Sequence, residues 1–167
     1  MMTGSTDRRG FKGRVVIAAL VLGALLCSAN KVHAGAEDWN DANIKWLSYE
    51  DGLKDAKESN RPMCLIFFTS WCPHCNNYSK VFSDPAVVEK SKAFVMVRAD
   101  ADKNRDLGEK YKPDGSYIPR TFFLNSKGEI DESLNVGRDQ YKYFYDEKDP
   151  ASILAGMDRA LKKLAAK

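Results

Sequence analysis

Apolar and polar positions divide this chain into short elements with two different periods. Ser48-Tyr49-Glu50-Asp51 has a capping-box pattern, and Leu53 and Ala56 on one face predict a helix ending before Pro62. Met63-Cys64-Leu65-Ile66-Phe67-Phe68 is apolar without a break, as in a central strand covered on both faces. Thr69-Ser70 lead from it into a further helix, and Ser83-Asp84-Pro85 ends that helix and caps a short one over 86–90. A second buried strand is expected over 93–98, where Phe94, Val95, Met96 and Val97 stand in a row. A short helix over 106–111 and a loop over 112–117 follow. Ile118-Pro119 precedes a strand over 121–124, and the turn 125–128 leads to another strand around 129–134. Asp149-Pro150 caps a last helix whose Ile153, Leu154, Met157, Leu161 and Leu164 form one apolar stripe. The order predicts one α/β domain without internal repeats: a central mixed β-sheet flanked by helices.

The first 34 residues carry a different pattern. Arg8, Arg9, Lys12 and Arg14 precede the uncharged stretch 15–26, and Val32-His33-Ala34 puts small residues at −3 and −1. A basic region, an apolar core and such a site make an export signal, so 1–34 is expected to be removed and 35–167 to form the domain. Arg8-Arg9-Gly10-Phe11 looks like a twin-arginine signal with Asp7 in place of the usual Ser or Thr, so the general secretory and twin-arginine routes both stay open. Either implies a periplasmic or secreted location, where disulfides persist. No apolar run reaches the roughly 18–20 residues that span a bilayer. The leader also accounts for the basic balance. Setting aside its five of 26 basic and one of 23 acidic residues leaves 21 against 22. Nothing there attracts nucleic acid or an anionic membrane.

Beyond the leader remain Cys64, Cys72, Cys75 and one histidine, His74. The histidine lies inside the only closely spaced pair, Trp71-Cys72-Pro73-His74-Cys75. A structural zinc site needs four ligands, and Cys64 is the only other thiol, so no metal is expected. A redox dithiol needs only the pair, because two intervening residues at a helix start bring the sulfurs within bonding reach. Pro73 suits the first helical turn. Cys72 is then placed at the helix N-terminus, where the dipole and open amides favour a thiolate, the nucleophilic form. A protonated His74 adds positive charge nearby.

A helix-opening Trp-Cys-x-x-Cys after a buried strand, with Ile-Pro before a strand some 45 residues on, resembles the thioredoxin superfamily over residues 45–165 or so. Asp114-Gly115-Ser116-Tyr117-Ile118-Pro119-Arg120 with Phe122-Phe123-Leu124, and Tyr141-Lys142-Tyr143-Phe144-Tyr145, resemble the small secretory-pathway members related to anterior-gradient proteins. Pro73-His74 instead resembles periplasmic disulfide oxidases. The resemblance implies a thioredoxin-like fold, with Cys72 as exposed nucleophile and Cys75 as shielded resolving thiol. It also implies a cis Pro119 facing the pair, Ile118 backbone groups receiving an extended substrate segment, and Trp71 shaping the surface beside the pair, unless Trp71 is a core residue. One departure is plain: where thioredoxins carry a buried carboxylate six residues before the first cysteine, this chain has Ile66.

The expected function is therefore exported thiol–disulfide exchange with protein thiol and disulfide substrates. It needs no dissociable cofactor, runs in the oxidising direction, and has a membrane redox partner as a candidate. A periplasmic reductase and a non-catalytic binding or holdase module are the rivals. Cys64 reads as a small core residue, and the stripe Tyr141–Tyr145 as packing. Asp100-Ala101-Asp102-Lys103-Asn104 reads as a strand end and helix cap, since Arg105 stands where a calcium loop requires Gly.

Overall fold

The computed structural model describes residues 38–164; the expected leader, its Cys27 and His33, and cleavage after Ala34 lie outside them. The elements in chain order are β1 (Trp46–Leu47), α1 (Tyr49–Ser59), β2 (Met63–Phe68), α2 (Pro73–Val81), α3 (Pro85–Ser91), β3 (Val95–Asp100), α4 (Arg105–Lys110), β4 (Arg120–Leu124) and α5 (Pro150–Leu164). The strands lie in the order β1-β3-β2-β4. β3 runs parallel to both β1 and β2, while β4 is antiparallel to β2. This is the mixed α/β sheet expected. Among the described residues no helix is long and apolar enough to cross a membrane.

The unbroken apolar run of β2 has a direct structural meaning. Successive strand residues face opposite sides of a sheet, so β2 feeds two cores at once. Cys64 and Ile66 join Met96 and Phe123 under Tyr78, Phe82, Val87, Ile153 and Met157 from α2, α3 and α5. Met63, Leu65 and Phe67 join Val95, Val97 and Phe122 under Tyr49, Ala56, Tyr111 and Tyr143 on the other face. Polar residues on either face of β2 would be stranded in one of these clusters, which is why the run has none.

The helix boundaries follow their caps. Ser48 Oγ accepts from the Asp51 amide at 3.1 Å and donates to its carboxylate at 2.9 Å. Asp84 accepts from the amides of Ala86 and Val87 at the start of α3. Three sequence expectations need correction. β3 starts at Val95, two residues late, because the amides of Ala93 and Phe94 close the turn after α3 on the carbonyls of Lys90 and Ser91. β1, which the pattern does not predict, has only two residues, too few to show an alternation. The strand expected around 129–134 reduces to one bridge between Leu124 and Ile130. Beyond it Asp131 and Asn135 turn their side chains onto the amides of Ser133 and Gly137, and such local bonds compete with a ladder. In α5 the buried stripe includes Gly156 and Ala160, with Leu154 and Leu161 only partly covered. The helix lies too close to Phe123 and Tyr145 for large side chains there.

Candidate active site

β2 ends at Phe68, and the next four residues turn the chain into α2. Cys72 is the N-cap of that helix, in extended backbone geometry, and Pro73 is its first residue. Proline lacks the amide that would be unsatisfied there, so the motif is suited to its position. The Cys72 amide donates to Thr69 O at 3.4 Å, and its carbonyl accepts from Asn76 at 3.1 Å. No side chain caps the helix and its first turn contains no acid, so the amide end faces the Cys72 sulfur region without an anion of its own.

No disulfide joins the cysteines among the described residues. The expectation of an exposed Cys72 is corrected: it is only 5% exposed, and Cys75 is fully buried. Both lie at the margin of the apolar cluster that contains Ile66, Tyr78 and Phe82, and that packing leaves Cys72 a narrow opening. The difference between the two thiols is one of access, in the order expected. Ile66 is itself buried. Cys64 lies on β2 between Met96 and Phe123, and burial pushes its thiol far above the ordinary range.

The flanking residues converge on Ile118. The Ile118–Pro119 bond is cis, and the Ile118 side chain packs against both cores, including the cluster that holds Cys72 and Cys75. Two hollows meet at this residue. One of about 330 Å³ is lined by Thr69, Trp71, Ser116, Ile118 and Arg120 among others. The second, of about 350 Å³, is lined by His74, Tyr117, Ile118, Arg138, Tyr141 and Phe144. Trp71 is 67% exposed, which excludes the core reading, and its indole N–H donates to Asp102 at 2.8 Å. Trp71 lines the first hollow and His74 the second, and both hollows share Ile118.

Several contributors are invisible in the motif. His74 Nδ1 lies 2.7 Å from Oε2 of Glu147, a residue 73 positions away, and Asn77 donates to the other oxygen at 3.1 Å. The His74 ring meets Phe144 edge-on at 5.9 Å. Below Pro119, Arg120 is buried, donates to Gly115 O at 2.5 Å and lies 4.9 Å above the Phe67 ring. Burial lowers its guanidinium from the ordinary value. Asp114 accepts from Tyr117 OH at 2.7 Å and from the Lys142 amide at 2.6 Å, and the Tyr143 amide donates to Tyr117 OH. These bonds tie the loop before Pro119 to the aromatic segment Tyr141–Tyr145. In that segment Tyr143 and Tyr145 are packed as expected, whereas Tyr141 is 55% exposed and stands edge-on to Tyr117.

A family model described as thioredoxin-like matches residues 45–126. Human anterior gradient protein 2 homolog is 31% identical over 130 residues, covering 75% of this chain and 71% of that protein. Anterior gradient protein 3 of Xenopus tropicalis is 30% identical over 129 residues, covering 74% of each chain. The solution structure of a thioredoxin from Thermus thermophilus superposes with a TM-score of 0.56 at 21% identity, over 74% of this chain and 92% of that one. A DsbH oxidoreductase does so at 0.55 and 22%, over 72% and 86%. At these identities the two structures speak to the fold alone.

Proposed function

The chain belongs to the thioredoxin superfamily, on the branch of the anterior gradient proteins, and from that premise we propose that it exchanges disulfides with protein substrates through Cys72 and Cys75. The observation that carries this reading is the asymmetry of the pair: Cys72 caps the amide end of α2 with a small opening, and Cys75 is sealed beneath it. In the oxidising direction a substrate thiolate attacks Cys72 Sγ of the Cys72–Cys75 disulfide and expels the Cys75 thiolate. A second substrate thiolate then attacks the substrate sulfur of the mixed disulfide and expels Cys72. The substrate leaves oxidised and the pair holds two electrons more. In reverse, the Cys72 thiolate attacks a substrate disulfide and Cys75 resolves the mixed intermediate. The electrons stay on sulfur, so the chemistry needs no dissociable cofactor.

The proposed direction is oxidation, outside the cytoplasm, after removal of residues 1–34, with a membrane protein restoring the disulfide. The helix amide end and a protonated His74 support it, since both stabilise the Cys72 thiolate and hence the reduced protein. Ile118 backbone groups and the exposed Trp71 supply the surface for an extended client segment. The Glu147 carboxylate on His74 favours the opposite direction, so a periplasmic reductase is the second reading. Equilibration with glutathione separates them: a potential well above about −270 mV, the thioredoxin value, supports oxidation, and about −250 mV or below supports reduction.

The division of labour is tested by substitution. Cys72→Ser abolishes turnover, and Cys75→Ser accumulates mixed disulfides with clients that are visible on non-reducing gels. Equal trapping by the two variants, or full activity without Cys72, excludes the assignment.

A further inference from the structure

The first turn of α2 contains no acid, yet a carboxylate is attached there from a distant segment. Glu147 is bound to residues 74 and 77 of the same helix, its two oxygens on His74 Nδ1 at 2.7 Å and Asn77 Nδ2 at 3.1 Å. Its side chain is only 12% exposed, against 63% for that of His74. Asn77 holds one oxygen and leaves the other aimed at the imidazole, so the contact has a defined geometry. We propose that Glu147 is a positioning residue that restrains the oxidising power of the Cys72–Cys75 couple by supplying a counter-charge to His74 at the amide end of α2.

The physical basis is competition for one positive region. A helix start and an imidazolium together stabilise an anion placed beside them. Two anions share that field here, the Cys72 thiolate and the Glu147 carboxylate. Whatever stabilisation His74 lends the thiolate is reduced by the carboxylate already paired with it. His74 and Glu147 also line a third hollow, where the cations Arg138 and Lys148 are matched in number by the acids Asp146 and Asp149. Arg138 is itself engaged by the Phe144 carbonyl. Glu147 alone among these acids is bonded to a residue of the redox motif. The consequence is that Cys-Pro-His-Cys in this chain is less oxidising than the four residues would make it unaided.

The inference rests on the exchange reaction proposed above, and the test separates the two. The full chain is equilibrated with reduced and oxidised glutathione at pH 6.0, below the ordinary histidine value of about 6.5, for the native protein, Glu147→Gln and His74→Gln. Removing an ion-pair charge of this exposure is worth up to about 1 kcal/mol. Glu147→Gln is therefore expected to shift the equilibrium about three- to fivefold toward the dithiol, a rise of roughly 15–20 mV for a two-electron couple. His74→Gln is expected to shift it the other way, leaving the carboxylate uncompensated. Loss of packing would move both variants in one direction. A second readout is salt, since 1 M salt shortens the screening length to about 3 Å and should diminish the difference between native protein and Glu147→Gln. An unchanged or lowered potential in Glu147→Gln, with normal exchange in the native protein, overturns this role alone. Absence of exchange in the native protein overturns the function and this role together.

Discussion

Cys64 and Cys75 are both fully buried, and their chemistry differs because of where each sits in its element. Cys64 is mid-strand, hemmed between Met96 and Phe123, and burial disfavours its thiolate. It is expected to resist alkylation in the native protein while Cys72 is labelled, and to react once the chain is unfolded. Mass spectrometry after timed labelling checks this, and labelling of Cys64 at the rate of Cys72 would contradict it. The motif residues were legible because their relation is local: a Cys-Pro-His-Cys run at a strand-to-helix junction places its own side chains. Glu147, Arg120 and Asp114 were not legible as site residues, since their roles exist only after tertiary folding brings them to His74, Phe67 and Lys142. The near-burial of Cys72 has the same origin, because a neighbouring cluster closes over it.

At the level of elements, α5 shows what close approach demands. A Cβ on Gly156 would lie 2.5 Å from Tyr145 Cε1 and 2.9 Å from Phe123 Cε2, both on aromatic rings packed in the core. Gly156→Ala should therefore destabilise the fold by about 1–3 kcal/mol despite alanine's better helix propensity. A lower urea midpoint with an unchanged slope would show it, and a midpoint at or above the native value would refute the packing account. Hydrophobic periodicity located α5 and its Ile153 and Met157 but read Leu154 and Leu161 as equal members of the stripe. Periodicity registers the apolar side chains and is silent on the small residues that let a helix come near. The absent strand after Ile130 has a comparable cause: Asp131 was read as part of a strand over 129–134, while its side chain and that of Asn135 just beyond were free to claim the amides of Ser133 and Gly137.

For the whole molecule, the two cores on either side of the sheet hold most of its phenols. Burial is the first cause raising Tyr78, Tyr111, Tyr117, Tyr143 and Tyr145, with Tyr143 pushed up to about 12. A value raised on folding favours the neutral phenol in the native state. The associated stability is complete below the unfolded value of about 10 and is lost as pH climbs through the folded values. Alkaline titration followed at 295 nm should accordingly show these five of the seven tyrosines ionising late, together with loss of the far-ultraviolet dichroism. Smooth ionisation of all seven with the fold intact would count against the packing described. The two-core plan itself was readable from β2, whose lack of any polar residue implied cover on both faces.

The outermost strands have a consequence for how this molecule meets other chains. A strand with open amides and carbonyls is a template on which another polypeptide can grow a sheet. β1 offers two residues, too few to seed one. On the far side, β4 has its amide at Thr121 occupied by the Tyr143 carbonyl, Leu124 bridged to Ile130, and the following Asn125 bonded to Glu129. Both margins of the sheet are thus poor templates for strand addition. On the function proposed above, the sheet ladder then takes no part in the exchange, and the encounter is confined to the short rim around Ile118.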